Sequence, residues 1–128
     1  MRIVPLALLL LLPIQFAPAQ APASAPLVSP QQAVRFIDKK VTLQMEVKST
    51  GGTLNCYLNS AASFQDSANF AVFIPEDALE KFKQARIEKP KDFYKGKMVQ
   101  VVGTVSLFKD RPQIRVDDPT QIKIVERR

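Results

Sequence analysis

From Val41 to Val47 every second residue is apolar, with Val41, Leu43, Met45 and Val47 alternating with Thr42, Gln44 and Glu46. The pattern returns between Met98 and Phe108, where Val99, Val101, Gly103, Val105 and Leu107 share one side. Successive side chains on a strand point to opposite faces, so a period of two marks strands with one face buried and one in water. Such strands suit antiparallel sheets.

The segments between these two windows complete an element order. Ser49-Thr50-Gly51-Gly52 reads as a turn, and Leu54 to Leu58 returns as a second strand of a hairpin. The polar stretch Asn59 to Asn69 reads as a loop and Phe70 to Ile74 as a third strand. Pro75 opens a helix with Glu76 and Asp77 in its first turn and Ala78, Leu79, Phe82 and Ala85 on one buried face. Pro90 marks its limit, and Phe93-Tyr94-Lys95-Gly96 is a connecting turn. After the Met98–Phe108 strand, Lys109-Asp110 makes a tight turn into a fifth strand, Arg111 to Val116. Asp117-Asp118-Pro119 then breaks the chain before a tail strand, Gln121 to Val125. Upstream, Ser29-Pro30-Gln31-Gln32 predicts a short helix ending by Asp38, with Ala33, Phe36 and Ile37 as its apolar stripe. The expected fold is all-β with one helix: a five-stranded antiparallel OB-fold barrel, the helix between strands 3 and 4, and a short N-terminal helix. Gly103, mid-strand, is where a barrel strand bends or passes close to another backbone.

The front of the chain has a different character. Arg2, the apolar run Ile3 to Leu12 and the triplet Ala17-Pro18-Ala19 are the three parts of a secretory signal peptide, with cleavage expected after Ala19. The apolar run is shorter than the roughly 20 residues that span a bilayer, so no transmembrane anchor is expected in the mature chain. The expected organisation is a signal peptide over 1–19, an Ala/Pro-rich tether over 20–28 and an OB-fold domain over 29–128. The protein is expected to be secreted or periplasmic. Removing Arg2 with the leader lowers 18 basic residues to 17 against 12 acidic, leaving a net charge of +5.

Composition narrows the chemistry. The chain has no histidine, which removes the commonest general base and zinc ligand. Its one cysteine, Cys56, excludes an internal disulfide, a CxxC pair and a multi-cysteine metal site, and its place in the alternation Leu54, Cys56, Leu58 points to burial. The adjacent acids Asp117 and Asp118 suit an Asx-type turn better than a metal site. The carboxylate cluster and paired arginines of the thermonuclease family cannot be assembled from this sequence. The protein is expected to be non-enzymatic, with no catalytic residue, cofactor or metal.

Several runs resemble bacterial OB-fold nucleic-acid-binding proteins. Tyr94 to Val105 is similar to the family's Y-x-G-K-x-V-x-V-x-G-x-V segment, and Lys109 to Ile114 to its K-G-R-P-x-I turn, with Asp110 where a glycine is usual. Asp117 to Ile122, Leu58-Asn59 and Asn69 to Ile74 match further pieces, so the resemblance spans roughly residues 34–126. It implies the OB fold and, more loosely, a binding function. OB-folds bind on the outer face of strands 2 and 3. Here that face would carry Asn55, Tyr57, Asn59 and Phe73, flanked by Lys48, Phe108, Lys109, Arg111 and Arg115. Aromatic rings stack on bases while lysine and arginine follow phosphates. The expected partner is single-stranded DNA or RNA, bound with low sequence specificity. The alternative is an envelope adaptor that binds a protein or oligosaccharide on the same face.

Overall fold

The structure, a computed structural model, describes residues 25–127. The leader read over residues 1–19 and the first part of the Ala/Pro tract lie outside the described residues. In chain order the elements are β1 (Leu27–Val28), α1 (Pro30–Ala33), β2 (Lys40–Glu46), β3 (Ser49–Gly51), β4 (Cys56–Asn59), β5 (Ala71–Ile74), α2 (Leu79–Gln84), α3 (Pro90–Tyr94), β6 (Met98–Phe108), β7 (Arg111–Arg115) and β8 (Ile122–Val125). Single 3-10 turns follow α1, precede α2 and precede β8.

Local chemistry explains the boundaries. Ser29 caps α1 through a capping box: its hydroxyl accepts from the Gln32 amide, and the Gln32 side chain accepts from the Ser29 amide. Pro90 does not end a helix but begins one, at the first position of α3, where its missing N–H has no intrahelical partner to lose. Ala85 is exposed because α2 stops at Gln84. Leu54 is exposed too, because the β3–β4 hairpin loop runs on to Asn55 and Ser49–Gly51 is strand rather than turn. Leu107, expected in the core row, is exposed near the tip of the β6–β7 hairpin.

The strand count and pairing differ from five antiparallel strands. Eight strands form one mixed sheet with the hydrogen-bonded path β1-β2-β6-β7-β5-β4-β3, and β8 also pairs with β6. β5 and β7 run parallel, as do β1 and β2. β5 thus lies between an antiparallel neighbour, β4, and a parallel one, β7. The path is open: β2 and β3 are joined only by the chain through Val47 and Lys48, whose amides donate to Lys97 and Asn59 carbonyls. β1 is an addition at the edge, in the segment read as tether, with Val28 buried and Leu27 opposite Thr42.

The core sits inside this curved sheet. Val41, Leu43, Met45 and Val47 point into it, as do Cys56, Leu58, Val72, Ile74, Val99, Val101, Val105, Ile114 and Val116. Phe70, Phe82 and Tyr94 add large buried side chains, with the last two rings edge to face at 6.5 Å. β6 crosses from one set of partners to another: Met98–Thr104 faces β2 and Val105–Phe108 faces β7. Gly103 lies at that crossing, where an added Cβ would come within 2.6 Å of Ile114 Cγ2.

Candidate nucleic-acid interface

Register decides which side chains share the outer face. Gly51, Tyr57, Phe73 and Arg115 are successive cross-strand partners on β3, β4, β5 and β7. The next row is Ser49, Asn59, Ala71, Gln113 and Ser106, and Phe108 opposite Arg111 makes a third. The intervening residues of these strands, such as Leu58, Val72 and Ile114, are buried in the core, so these rows face outward.

A groove of about 560 Å³ lies on this face. Tyr57, Asn59, Ala71 and Gln113 lie along its floor, and its walls come from Phe64 and Gln65 of the β4–β5 loop and Phe108 and Lys109 of the β6–β7 turn. Phe64 and Phe108 are 64% and 51% exposed, unusual for rings of that size and suited to stacking on a planar ligand. Lys109 Nζ lies 5.4 Å from the centre of the Phe108 ring, and among the described residues no acidic side chain lines the groove. The β6–β7 turn has both Lys109 (φ 50) and Asp110 (φ 63) in the left-handed region. Aspartate tolerates that region, so it stands where the resembled family has glycine.

Arg111 has a structural duty as well. Its two terminal nitrogens donate to the carbonyls of Phe64 and Gln65, fastening the β4–β5 loop to β7. The root of the same loop is held by the Asn59–Asn69 amide pair, by the Ser49 hydroxyl on the Ala61 carbonyl, and by the Phe70 amide on the Ser60 hydroxyl.

Of the expected contact residues, Tyr57, Asn59, Phe108, Lys109 and Arg111 line the groove. Asn59 is nevertheless 3% exposed, because the β4–β5 loop folds over it. Phe73 and Arg115 flank the groove on the same face: the Phe73 ring lies 5.0 Å from Tyr57 at 34°, and the Arg115 guanidinium 5.9 Å from Phe73. Arg115 is also paired with Asp117 at 2.8 Å. Asn55 is not on this face. It belongs to the β3–β4 turn, where its carbonyl leaves no room for a Cβ at Gly52 (φ 98), and it borders a small cavity near Cys56 and Lys91. Lys48 points into a separate cleft with Ser29, Glu46 and Asp66. The cause is a bulge. Val47 faces the core while Ser49 faces outward opposite Asn59, so Lys48 is the extra residue that shifts the strand's parity. Phe64, Gln65 and Gln113 were missed; the one available signal was a lone phenylalanine in a loop otherwise of small and polar residues.

Elsewhere, burial pushes the Cys56 thiol up to about 12, against a smaller opposing pull from Lys91. The Asp118 carboxyl is held below its ordinary value by the Thr120 amide and hydroxyl, as an N-cap of the 3-10 turn before β8. Among the described residues no group of three or more Cys, Asp or Glu side chains gathers in a way that could hold a metal ion. No helix among them is long and apolar enough to cross a membrane.

The fold has counterparts among solved structures. The chain is similar to the aspartyl-tRNA synthetase of Entamoeba histolytica, with TM-score 0.55 and 12% identity over 96% of this chain and 28% of that one. It is similar to the asparaginyl-tRNA synthetase of Pyrococcus horikoshii, with TM-score 0.51 and 17% identity over 77% of this chain and 23% of that one. Yeast Stn1 and Ten1 give TM-score 0.53 and 10% identity over 84% of this chain and 66% of that one. The chain thus spans about a quarter of the synthetases' length, and at these identities the likeness is one of fold. Mostly β, with short helices, the chain has a fold of the OB class. No protein-family model matches the sequence, and no curated protein matches it significantly.

Proposed function

We propose that this protein is a non-enzymatic binding module that holds single-stranded nucleic acid across the β4–β5–β7 face with low sequence specificity. The observation that carries the reading is the groove itself: Tyr57 on the floor, exposed Phe64 and Phe108 in the walls, Lys109 and Arg111 beside them, and no carboxylate among the described residues that line it. Rings stack on any base by its face, and the cations track the phosphates between bases. Phe73 and Arg115 extend the track along the same face. The net charge of +5 left after leader removal supplies affinity that falls steeply with salt. The fold shared with two tRNA synthetases, proteins that by name act on tRNA, supports the reading without fixing the ligand.

The leader-like sequence before Ala19 supports export to the periplasm or beyond. Fractionation of expressing cells, with an N-terminus at Gln20 on the exported form, tests that placement.

Fluorescence anisotropy of labelled single-stranded DNA and RNA, at low and then physiological salt, tests the binding. Saturable binding that weakens log-linearly with salt is the expected result. Absence of binding at low salt, where the charge helps most, sinks the proposal and leaves the face for a protein or glycan. Metal-dependent cleavage of the oligonucleotide would overturn the non-enzymatic part.

A further inference from the structure

Two asparagines beside the groove form a one-way chain of hydrogen bonds. The Ala61 amide donates to Asn69 Oδ1 at 3.0 Å, and Asn69 Nδ2 donates to Asn59 Oδ1 at 3.1 Å. A backbone N–H can only donate, so it fixes which end of the Asn69 side chain faces it. Asn69 must then offer its NH2 to Asn59, and Asn59 must answer with its oxygen. What remains for the groove is Asn59 Nδ2, a donor with no protein acceptor among the described residues. Asn59 is 3% exposed, so this donor is not bathed in water as a surface amide would be. A buried polar group left this way calls for a partner.

We infer that Asn59 Nδ2 is a recognition donor that takes O4 of an unpaired uracil or thymine, or O6 of guanine, on a base seated on Tyr57. The inference rests on the nucleic-acid reading above and deepens it. Aromatic walls accept every base by its face, whereas a donor of fixed direction discriminates by the edge. Uracil and thymine present O4 and guanine O6, all acceptors, where cytosine and adenine carry amino groups. A cytosine or adenine seated in the same way presents its amino group there and sets donor against donor. Asn59 cannot turn its oxygen outward without breaking its bond to Asn69, and Asn69 cannot turn without losing Ala61. The result is a preference at one base position over an otherwise sequence-independent track.

The test compares oligo(dU) with oligo(dC), which share ring size and differ at C4, by anisotropy with the purified protein at low salt. The expected preference for oligo(dU) is about tenfold, the scale of one such hydrogen bond. Asn69→Asp accepts from both neighbours, turning Asn59 Oδ1 toward the groove, and is expected to reverse the preference toward oligo(dC). The added charge weakens both oligonucleotides alike, so their ratio reads the direction of the amide. A merely structural role would lower both affinities without a reversal. Asn59→Asp, which replaces the donor by an oxygen, is a second variant expected to abolish the oligo(dU) preference. Equal affinities in the unaltered protein overturn the inference whatever the variants do, and leave the nucleic-acid reading standing. An unchanged ratio in a folded Asn69→Asp protein also overturns it. Failure of both oligonucleotides to bind overturns the inference together with the reading beneath it.

Discussion

Tyr57 and Phe73 stand directly opposite each other on β4 and β5, with ring centres 5.0 Å apart and planes inclined at 34°. Tyr57 reaches the groove and Phe73 does not, so the pair joins the groove to the rest of the face. Both rings are half-buried, partly against one another, which leaves each with surface for a ligand.

Tyr57→Ala removes a stacking platform and half of an aromatic pair. Affinity for single-stranded DNA is expected to fall by about 1–3 kcal/mol. Folding stability should fall by about 0.5–1.5 kcal/mol beyond the lost burial, the value of a cross-strand aromatic pair. Anisotropy and urea denaturation separate the two effects, and unchanged affinity would remove Tyr57 from the site.

Lys109 and Lys48 make a controlled comparison, because one lines the groove and the other a separate cleft. Lys109→Ala is expected to lower the slope of log affinity against log salt by about one phosphate contact. Lys48→Ala should leave the slope unchanged. Equal effects from the two would mean that affinity follows overall charge rather than the groove.

The expectations from the sequence held where a local rule acts on many residues together. The alternation of β2 and β6 was legible because every inward position repeats the same constraint, and the Ser29–Gln32 capping box because both halves lie within one turn. Lys48 was misplaced because a single bulged residue reverses the parity of everything after it and leaves no mark in the apolar pattern. Phe64 was overlooked for a different reason. Its place is set by Arg111, 47 residues away, and no local periodicity encodes a contact of that range. The parallel β5–β7 pair joins segments about 40 residues apart, such as Val72 and Ile114, and no local periodicity encodes a pairing of that range.

Alkaline pH should unfold the protein through two buried groups. Cys56 rises from 9.0 to about 12 through burial. Tyr94 rises from 10.0 to about 12 through burial and then the neighbouring Cys56 charge. Both are raised on folding, so their contribution is fully present below the unfolded values and is lost as pH climbs from about 9 toward 12. Denaturation at stepped pH should show that decline, and Cys56→Ala should make it shallower. At neutral pH a thiol reagent should label Cys56 only as fast as the protein opens.

Gly103→Ala tests the crossing in β6. The new methyl would meet Ile114 Cγ2 at 2.6 Å, and Ile114 is fully buried with little room to yield. A loss of about 1–3 kcal/mol is expected in urea denaturation, as for other overpacked cores. No loss would mean that β6 and β7 separate at that point without penalty.

The double pairing of β6 has a consequence for how the chain can misfold. Its first half is held by β2 and β8 and its second half by β7. A slip of one residue along either partner would turn Gln100 and Ser106 inward together and carry Val99, Val101 and Val105 out into water. Such an error cannot stay confined to one end of the strand, because eleven continuous residues share a single set of faces. The segment most open to mispairing is therefore also the one whose mistakes are most heavily penalised. The outward row that carries Phe108 inherits that fidelity.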